Sequence, residues 1–265
     1  MMDWLGLPPL ASAHGGEIDS LLAWTHIFMF VLFVGWGTFF TYCLIRFRRS
    51  RHPVASYAAV KSHASSYLEV GVAVVEAVLL FGFSIPIWIS RVDRFPPESE
   101  ALVVQVTGEQ FAWNVHYPGP DGVFGRTDIN LLDLQSNPLG LDRDDPAAKD
   151  DVTTLNQLYL PVNRPVIVRL RSKDVIHSFG VPELRVKQDA VPGLTIPIWF
   201  VPTVTTAEMR ARTGNPEFQY EIACAQLCGL GHARMRAFVT VQTEKEFQAW
   251  LDEQIKAAAE LDIFR

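Results

Sequence analysis

Cysteine is scarce in this chain, with three residues in 265. That is far too few for a disulfide-framed miniprotein. Glycine and proline stand at 17 each, near ordinary usage, which excludes a collagen-like or disordered low-complexity chain. A surplus of positive charge is missing as well. The formal net charge is −6, and without a basic face there is no electrostatic footing on nucleic acid. No internal repeat is present. What the chain has in excess is apolar: it is 49% hydrophobic with mean hydropathy +0.13. Its length suits one or two domains with a real core, and the hydropathy points to a membrane-attached part.

Charge is absent altogether from Ser20 to Ile45. At about 1.5 Å rise per residue, this run is long enough to cross a hydrocarbon core of about 30 Å. A second run, Val70 to Ser90, is interrupted only by Glu76. Trp24 and Trp88 sit near the span ends, where aromatic belts form, and Cys43 reads as a small packing residue inside the first span. Between the spans lie Arg46, Arg48, Arg49, Arg51 and Lys61, with no acid before Glu69. The positive-inside rule puts this loop in the cytoplasm, and both termini on the outer side. Ala11-Ser12-Ala13 resembles a signal-peptidase site, but it lacks a basic stretch before it and Pro8-Pro9 breaks the apolar run; the expectation is an uncleaved chain. Residues 1–95 carry a net charge of about +1 and residues 96–265 about −7.

The expected organisation is a membrane-anchored α+β chain. Residues 1–19 form an extracytoplasmic N-terminal segment, and 20–95 a two-helix transmembrane hairpin with a cytoplasmic loop at 46–66. Residues 96–243 form an antiparallel β-domain, and 244–265 a C-terminal helix. The β reading rests on alternating runs at 102–107, 166–171, 194–201 and 237–242, bounded by turn residues. Residues 136–151 read as an acidic loop insertion.

The informative segment runs from Cys224 to Met235. It packs Cys224, Cys228, His232 and Met235 between two expected strands. Sulfur plus imidazole selects copper or zinc, and a thioether favours copper. Two cysteines four apart can bridge a pair of coppers through their thiolates. A second imidazole is then needed, and His177 stands just after the 166–171 strand; the peptide carbonyl of Gln226 can complete the shell. A disulfide between the cysteines, a structural zinc on Cys224, Cys228, His177 and His232, and chance clustering of Met235 are the competing readings of the same residues. His14, His26, His52, His63 and His116 show no partner pattern.

Two spans followed by a β-domain ending in C-x-x-x-C-x-x-x-H-x-x-M resemble subunit II of haem–copper cytochrome c oxidase. The likeness extends to Asp174-Val-Ile-His177-Ser178, Val181-Pro182, the 186–193 segment and Gly108-Glu109-Gln110-Phe111-Ala112-Trp113. It implies a cupredoxin-like Greek-key barrel or sandwich carrying the dinuclear copper A (CuA) centre. The ligands would be His177, Cys224, Cys228, His232, Met235 and the Gln226 carbonyl. The implied role is electron input: cytochrome c or a c-type haem domain gives an electron to CuA. CuA passes it to haem in subunit I, where oxygen is reduced to water with proton translocation. Haems would lie only in partner subunits, since this chain has no C-x-x-C-H. The quinol oxidases of this fold lack the cysteines, so their presence argues against quinol as donor.

The likeness further implies subunit I and subunit III as partners, and a two-pass placement in the bacterial plasma membrane with the C-terminal domain outside. Glu69 resembles the family glutamate at the mouth of a proton path, and Glu76, seven residues on, shares its helix face inside the membrane. The family's glutamate near copper, which helps hold an interfacial magnesium, is Gln226 here; a neutral amide is the poorer magnesium ligand. The family's aromatic patch reads Gln110-Phe111-Ala112-Trp113, so Phe111, Trp113 and Tyr117 are the candidates for electron input. Asp121, Asp128, Asp133, Asp142, Asp144, Asp145, Asp150 and Asp151 are candidates for steering a basic cytochrome. A CuA-type nitric oxide reductase subunit and a membrane-anchored copper-binding or assembly protein are the alternatives.

Overall fold

The computed structural model describes residues 6–55, 57–58 and 62–263. Lys61, the first five residues and the last two of the expected C-terminal helix lie outside them. The chain divides into two units, one helical and one β.

The helical unit holds α1 (Gly15–Arg46) from Glu17 onward and a second run made of α2 (Ala64–Ala77), a π-helical stretch (Val78–Ser84) and α3 (Ile85–Val92). Glu17 in the first turn and Arg46 in the last suit the dipole of α1. Both runs are long and apolar enough to cross a membrane, and their spanning windows have no buried residue. A helix that shows apolar side chains all round, unburied by its own chain, is built for lipid or for other helices. Glu69 and Glu76 are both exposed on α2.

The β unit takes in Pro8–Gly16 together with Arg94 onward. Among the described residues, ten strands form two five-stranded sheets, ordered β3-β2-β1-β5-β8 and β4-β10-β9-β6-β7. The strands are β1 (Leu102–Glu109), β2 (Ala112–Tyr117), β3 (Val152–Leu155), β4 (Gln157–Pro161), β5 (Val166–Ser172), β6 (His177–Val181), β7 (Val186–Ala190), β8 (Ile196–Phe200), β9 (Tyr220–Cys224) and β10 (Arg236–Gln242). The expectation of a wholly antiparallel domain needs one correction. β1 pairs parallel with β5, and β10 parallel with β4, because Greek-key connections bring strands from separate hairpins side by side. The alternation in β1 appears as a strict buried/half-buried pattern. Val104, Val106, Val168 and Leu170 of one sheet, and Leu158, Phe179, Ile222 and Val239 of the other, fill the core. Each such side chain contributes about 1.5–3 kcal/mol by leaving water.

Two shorter helices close the sandwich. α4 (Thr206–Thr213) begins with a capping box between Thr205 and Glu208 and ends on Gly214 at φ 65°. α5 (Glu244–Ile263) lays Phe247 and Trp250 on Tyr117 and stacks Trp250 on Tyr159 at 4.2 Å.

The acidic stretch expected at 136–151 lies within a longer excursion. The whole excursion between β2 and β3 spans residues 118–151 and carries eight aspartates against three cations, a net of −5. It closes on itself through Asp128 N–H to Gly140 O and Asp142 N–H to Arg126 O. It is anchored by a buried pair, His116 Nε2 to Asp151 Oδ2 at 2.6 Å, with Gly125 N–H also donating to that oxygen. Asp151 is fully buried, so it is a structural anchor and not one of the steering charges. Asp142 is bound by Arg126, which holds its carboxyl below the usual range.

Pro8–Gly16 lies along the edge of the sandwich. Ala11 N–H donates to Glu183 O at 2.8 Å, Ser12 Oγ to Leu184 O at 2.6 Å, Ala13 N–H to Val201 O at 3.0 Å, and Thr203 N–H returns to Ala11 O at 2.8 Å. The Ala11-Ser12 portion of the signal-peptidase-like tripeptide is thereby buried in the β-domain. Gly15 opens α1 close against this strip. A Cβ there would lie 2.2 Å from the Leu10 side chain and 2.9 Å from Ser12 Oγ.

Candidate metal centre

Two arms of the second sheet bring the soft donors together. β6 opens with His177, fully buried, and β9 ends with Cys224. Register pairs Phe179–Cys224 and Gly180–Ala223 hold these strands side by side. Past Cys224 the chain loops to β10, and Cys224 N–H reaches Met235 O at 3.2 Å to close the loop. Ala225 N–H donates to Ser178 O at 3.0 Å, tying the loop's start to β6.

The donor atoms converge. Cys224 Sγ lies 3.8 Å from Cys228 Sγ, 4.0 Å from His177 Nδ1 and 3.2 Å from the Gln226 carbonyl oxygen. Cys228 Sγ lies 3.7 Å from His232 Nδ1 and 3.6 Å from Met235 Sδ. The ligand atoms of His177, Cys224 and Cys228 all fall within 4.8 Å of one another. Both sulfurs are free thiols, well beyond the bonded distance of about 2.05 Å. The six expected donors thus sit around one small volume, with the two sulfurs central. Two thiolates, two imidazoles, a thioether and a carbonyl suit soft or borderline ions such as copper. Burial, and then the adjoining Cys224 sulfur, push the Cys228 thiol up to about 11. Metal uptake at neutral pH therefore expels its proton.

The surrounding shell is built from the β1–β2 turn and the segment before β6. Asp174 Oδ1 accepts from His177 Nε2 at 2.7 Å, which leaves Nδ1 facing the sulfurs. Burial works against ionisation of Asp174, but hydrogen bonds from His177, Gln110 and Val175 outweigh it and hold its carboxyl below the usual range. A carboxylate behind a ligating imidazole fixes ring orientation and tautomer. Trp113 is fully buried, its ring edge-on to His177 at 6.0 Å. Phe111 is 37% exposed and lies across the loop glycines. A Cβ on Gly231 would meet its ring at 2.4 Å, and one on Gly229 at 3.1 Å.

Of the three aromatic candidates, Phe111 and Trp113 are beside the cluster and Tyr117 is not. β2 runs away from the metal end, so Tyr117 stands about 13 Å further along the strand than Trp113. Its phenol bonds to Tyr159 and its ring joins the α5 cluster; burial raises its pKa. Glu69 and Glu76 belong to the helical unit. Two residues bonded to the donor-bearing segments fall outside the expected site set, Asp174 and Gln110. An Asp-x-x-His sequence at a strand start is the legible signal for the first.

The chain is similar to known proteins of one family. Residues 102–242 match the family described as cytochrome c oxidase subunit II, periplasmic domain. The alternative cytochrome c oxidase subunit 2 of Bradyrhizobium diazoefficiens is 36% identical over 247 residues, covering 93% of this chain and 83% of that protein. Cytochrome c oxidase subunit 2 of Cereibacter sphaeroides is 30% identical over 267 residues, covering 94% and 79%. Among solved structures, the periplasmic domain of cytochrome oxidase subunit II from Bradyrhizobium japonicum overlaps with a TM-score of 0.41 at 29% identity, covering 60% of this chain and 96% of that one.

Proposed function

The chain belongs to the cytochrome c oxidase subunit II family, and from that premise we propose that it is the electron-input subunit of a haem–copper oxidase, holding a dinuclear CuA centre. The observation that carries this reading is the convergence of His177, Cys224, Cys228, His232, Met235 and the Gln226 carbonyl on one volume. His177, Cys224, Cys228, His232, Met235 and the Gln226 carbonyl would hold the copper, which would supply one-electron transfer there.

The protein's own residues do the rest. Asp174 orients His177, and burial of the sulfurs keeps water from them. Phe111, exposed over the ligand loop, is the aromatic a donor protein can touch, while Trp113 lies behind it against His177. Around them Val175, Ile176, Leu227 and Leu230 are exposed and apolar. The excursion supplies negative charge from Asp121, Asp128, Asp133, Asp144 and neighbouring aspartates. A basic donor with an apolar contact face, a cytochrome c or a c-type haem domain, fits such a surface. Electrons would then pass to haem in subunit I for reduction of oxygen to water, with subunit III completing the complex.

The placement we propose is two-pass in a bacterial plasma membrane, with both termini outside. The arginines at 46–51 support it, and so does the binding of Pro8–Gly16 to the β-domain, since only an even number of crossings leaves the two together. Glu69 and Glu76, exposed on one helix face, are available to subunit I as proton-path carboxyls. Magnesium fits less well: at 226 the chain offers an amide oxygen, a weaker donor to a hard dication than a carboxylate, and no step is assigned to it.

The test is copper content and electron paramagnetic resonance on the full-length chain, purified in detergent and loaded with copper. Two coppers per chain with one unpaired electron shared between them is the expected result. A mononuclear signal, or no copper, refutes the reading.

A further inference from the structure

Gln110 occupies the turn between β1 and β2, outside both ligand-bearing arms, yet its hydrogen bonds reach both. Its main-chain N–H donates to Asp174 Oδ2 at 2.7 Å, and Asp174 Oδ1 holds His177 Nε2. Its side-chain amide Nε2 donates to the carbonyl oxygen of Cys228 at 2.5 Å. His177 belongs to β6, and Cys228 to the loop between β9 and β10. The backbone bonding of β6 to the β9 arm ends with Ala225 N–H to Ser178 O, three residues before Cys228. The position of Cys228 relative to His177 is therefore left to other contacts, and Gln110 supplies one that spans the gap.

The loop is shaped to admit this side chain. Gly229, next to Cys228, has φ 133°, a conformation only glycine adopts readily. A Cβ there would lie 2.7 Å from Gln110 Nε2. Phe111, the next residue, covers Gly229 and Gly231. The turn and the loop are thus in direct contact along two successive residues.

We propose that Gln110 is a positioning residue for the metal centre, a clamp that fixes the Cys228 arm against the Asp174–His177 arm. The proposal rests on the CuA reading. Gln110 touches no donor atom; it acts on Cys228 through the peptide carbonyl and on His177 through Asp174. Both bonds come from one residue, so loosening one end loosens the register of the other. A contact that fixed either arm alone would not behave this way.

The experiment uses full-length chain in detergent: wild type, Gln110→Ala, Asp174→Asn and the double variant. Copper stoichiometry, the resonance signature and the rate of copper loss to a chelator are measured on each. Gln110→Ala should still take two coppers, with an altered signature and copper loss faster by about 10–100-fold, the usual effect of removing a supporting partner. The double variant should lose copper more slowly than the product of the two single effects predicts, because the two residues act through one connection. A variant that does not load is read metal-free. Freeing Cys228 should let the thiols, now 3.8 Å apart, close to a disulfide several-fold faster under oxidised glutathione. Wild-type copper loss and signature in Gln110→Ala, unchanged thiol oxidation, or fully multiplicative effects would each overturn the proposal. Absence of a dinuclear signal from the wild type would instead sink the CuA reading.

Discussion

Gly108→Ala tests whether the metal end of the sandwich has any slack. Gly108 lies in β1, paired with Trp113 and Ser172 across its two ladders, and its backbone has no positive φ. Alanine therefore fits the local conformation, and the effect is steric alone. Its Cβ would stand 2.9 Å from His177 Cδ2, 3.1 Å from Cγ and 3.2 Å from Trp113 Cζ3. Carbon atoms rest at about 3.5–4.0 Å, so the imidazole must retreat by about 0.5 Å or more. His177 is fully buried and held by Asp174 at 2.7 Å, whereas metal–ligand distances tolerate about 0.2 Å. Overpacking of this kind costs about 1–3 kcal/mol, and each kcal/mol lowers the melting midpoint by about 2–4 °C in a domain of this size. The assay is thermal unfolding of the metal-free full-length chain beside the copper resonance spectrum of the loaded one. Gly231→Ala is the control. Its Cβ meets Phe111 at 2.4 Å, but Phe111 is 37% exposed and can swing outward, so its melting point should move little. An unchanged midpoint and spectrum for Gly108→Ala would refute the claim that His177 is sterically fixed.

Four further outcomes follow from the same geometry. Cys228→Ser removes the sulfur that faces Cys224, His232 and Met235 and should abolish the dinuclear spectrum; an intact spectrum in the purified variant contradicts the ligand set. Oxidation of a basic cytochrome by the assembled oxidase should slow steeply with added salt, since a Debye length of about 10 Å at 0.1 M screens the −5 excursion; a flat profile removes the steering idea. His116→Leu strands Asp151 in the interior and should cost about 3–5 kcal/mol, read by unfolding, with the excursion becoming protease-sensitive; a wild-type digest pattern counts against the anchor. The Glu208 carboxyl is held below its usual range by the Thr205 donors. Its contribution is therefore present above the unfolded pKa, near 4.5, and is lost as pH falls through the lower folded value. Glu208→Gln should flatten the acid side of the melting-point profile, and an unaltered slope would show that the cap does not titrate with folding.

Much of the candidate centre is legible because its donor residues are local. Cys224, Cys228, His232 and Met235 fall within twelve residues, and the loop that holds them is closed by hydrogen bonds of its own. His177 was legible as well, since it follows a strand with an obvious alternating pattern. The shell was not. Gln110 reaches Cys228 across 118 positions of sequence, and nothing in a turn glutamine signals which carbonyl its amide will find. Tyr117 is the converse case. Its nearness in sequence to Trp113 does not carry into space: a strand carries each residue about 3.3 Å further from its start, and four steps lead to a different end of the sandwich. The parallel pairs β1/β5 and β4/β10 are not legible in the sequence, because alternation reports which face a side chain takes and is silent on strand direction. The stretch 136–151 stands out in the sequence because its charge is dense, while 118–135, part of the same excursion, is sparser in charge and holds the exposed Ile129 and Leu134.

The strip Pro8–Gly16 carries a consequence for how this protein can be cut and studied. It precedes the first span, yet its partners are Glu183, Leu184, Val201 and Thr203, so the β-domain is sewn from both ends of the chain. Ribosomal order then matters: the strip is made first and waits for its seat until some two hundred residues and both spans have followed. A fragment that starts after the second span, at Arg94, leaves the carbonyls of Glu183, Leu184 and Val201 without these donors and bares the groove that Ala11 fills. A short peptide copying residues 8–16 should bind such a fragment and raise its melting point, restoring in two pieces what the membrane anchor joins in one.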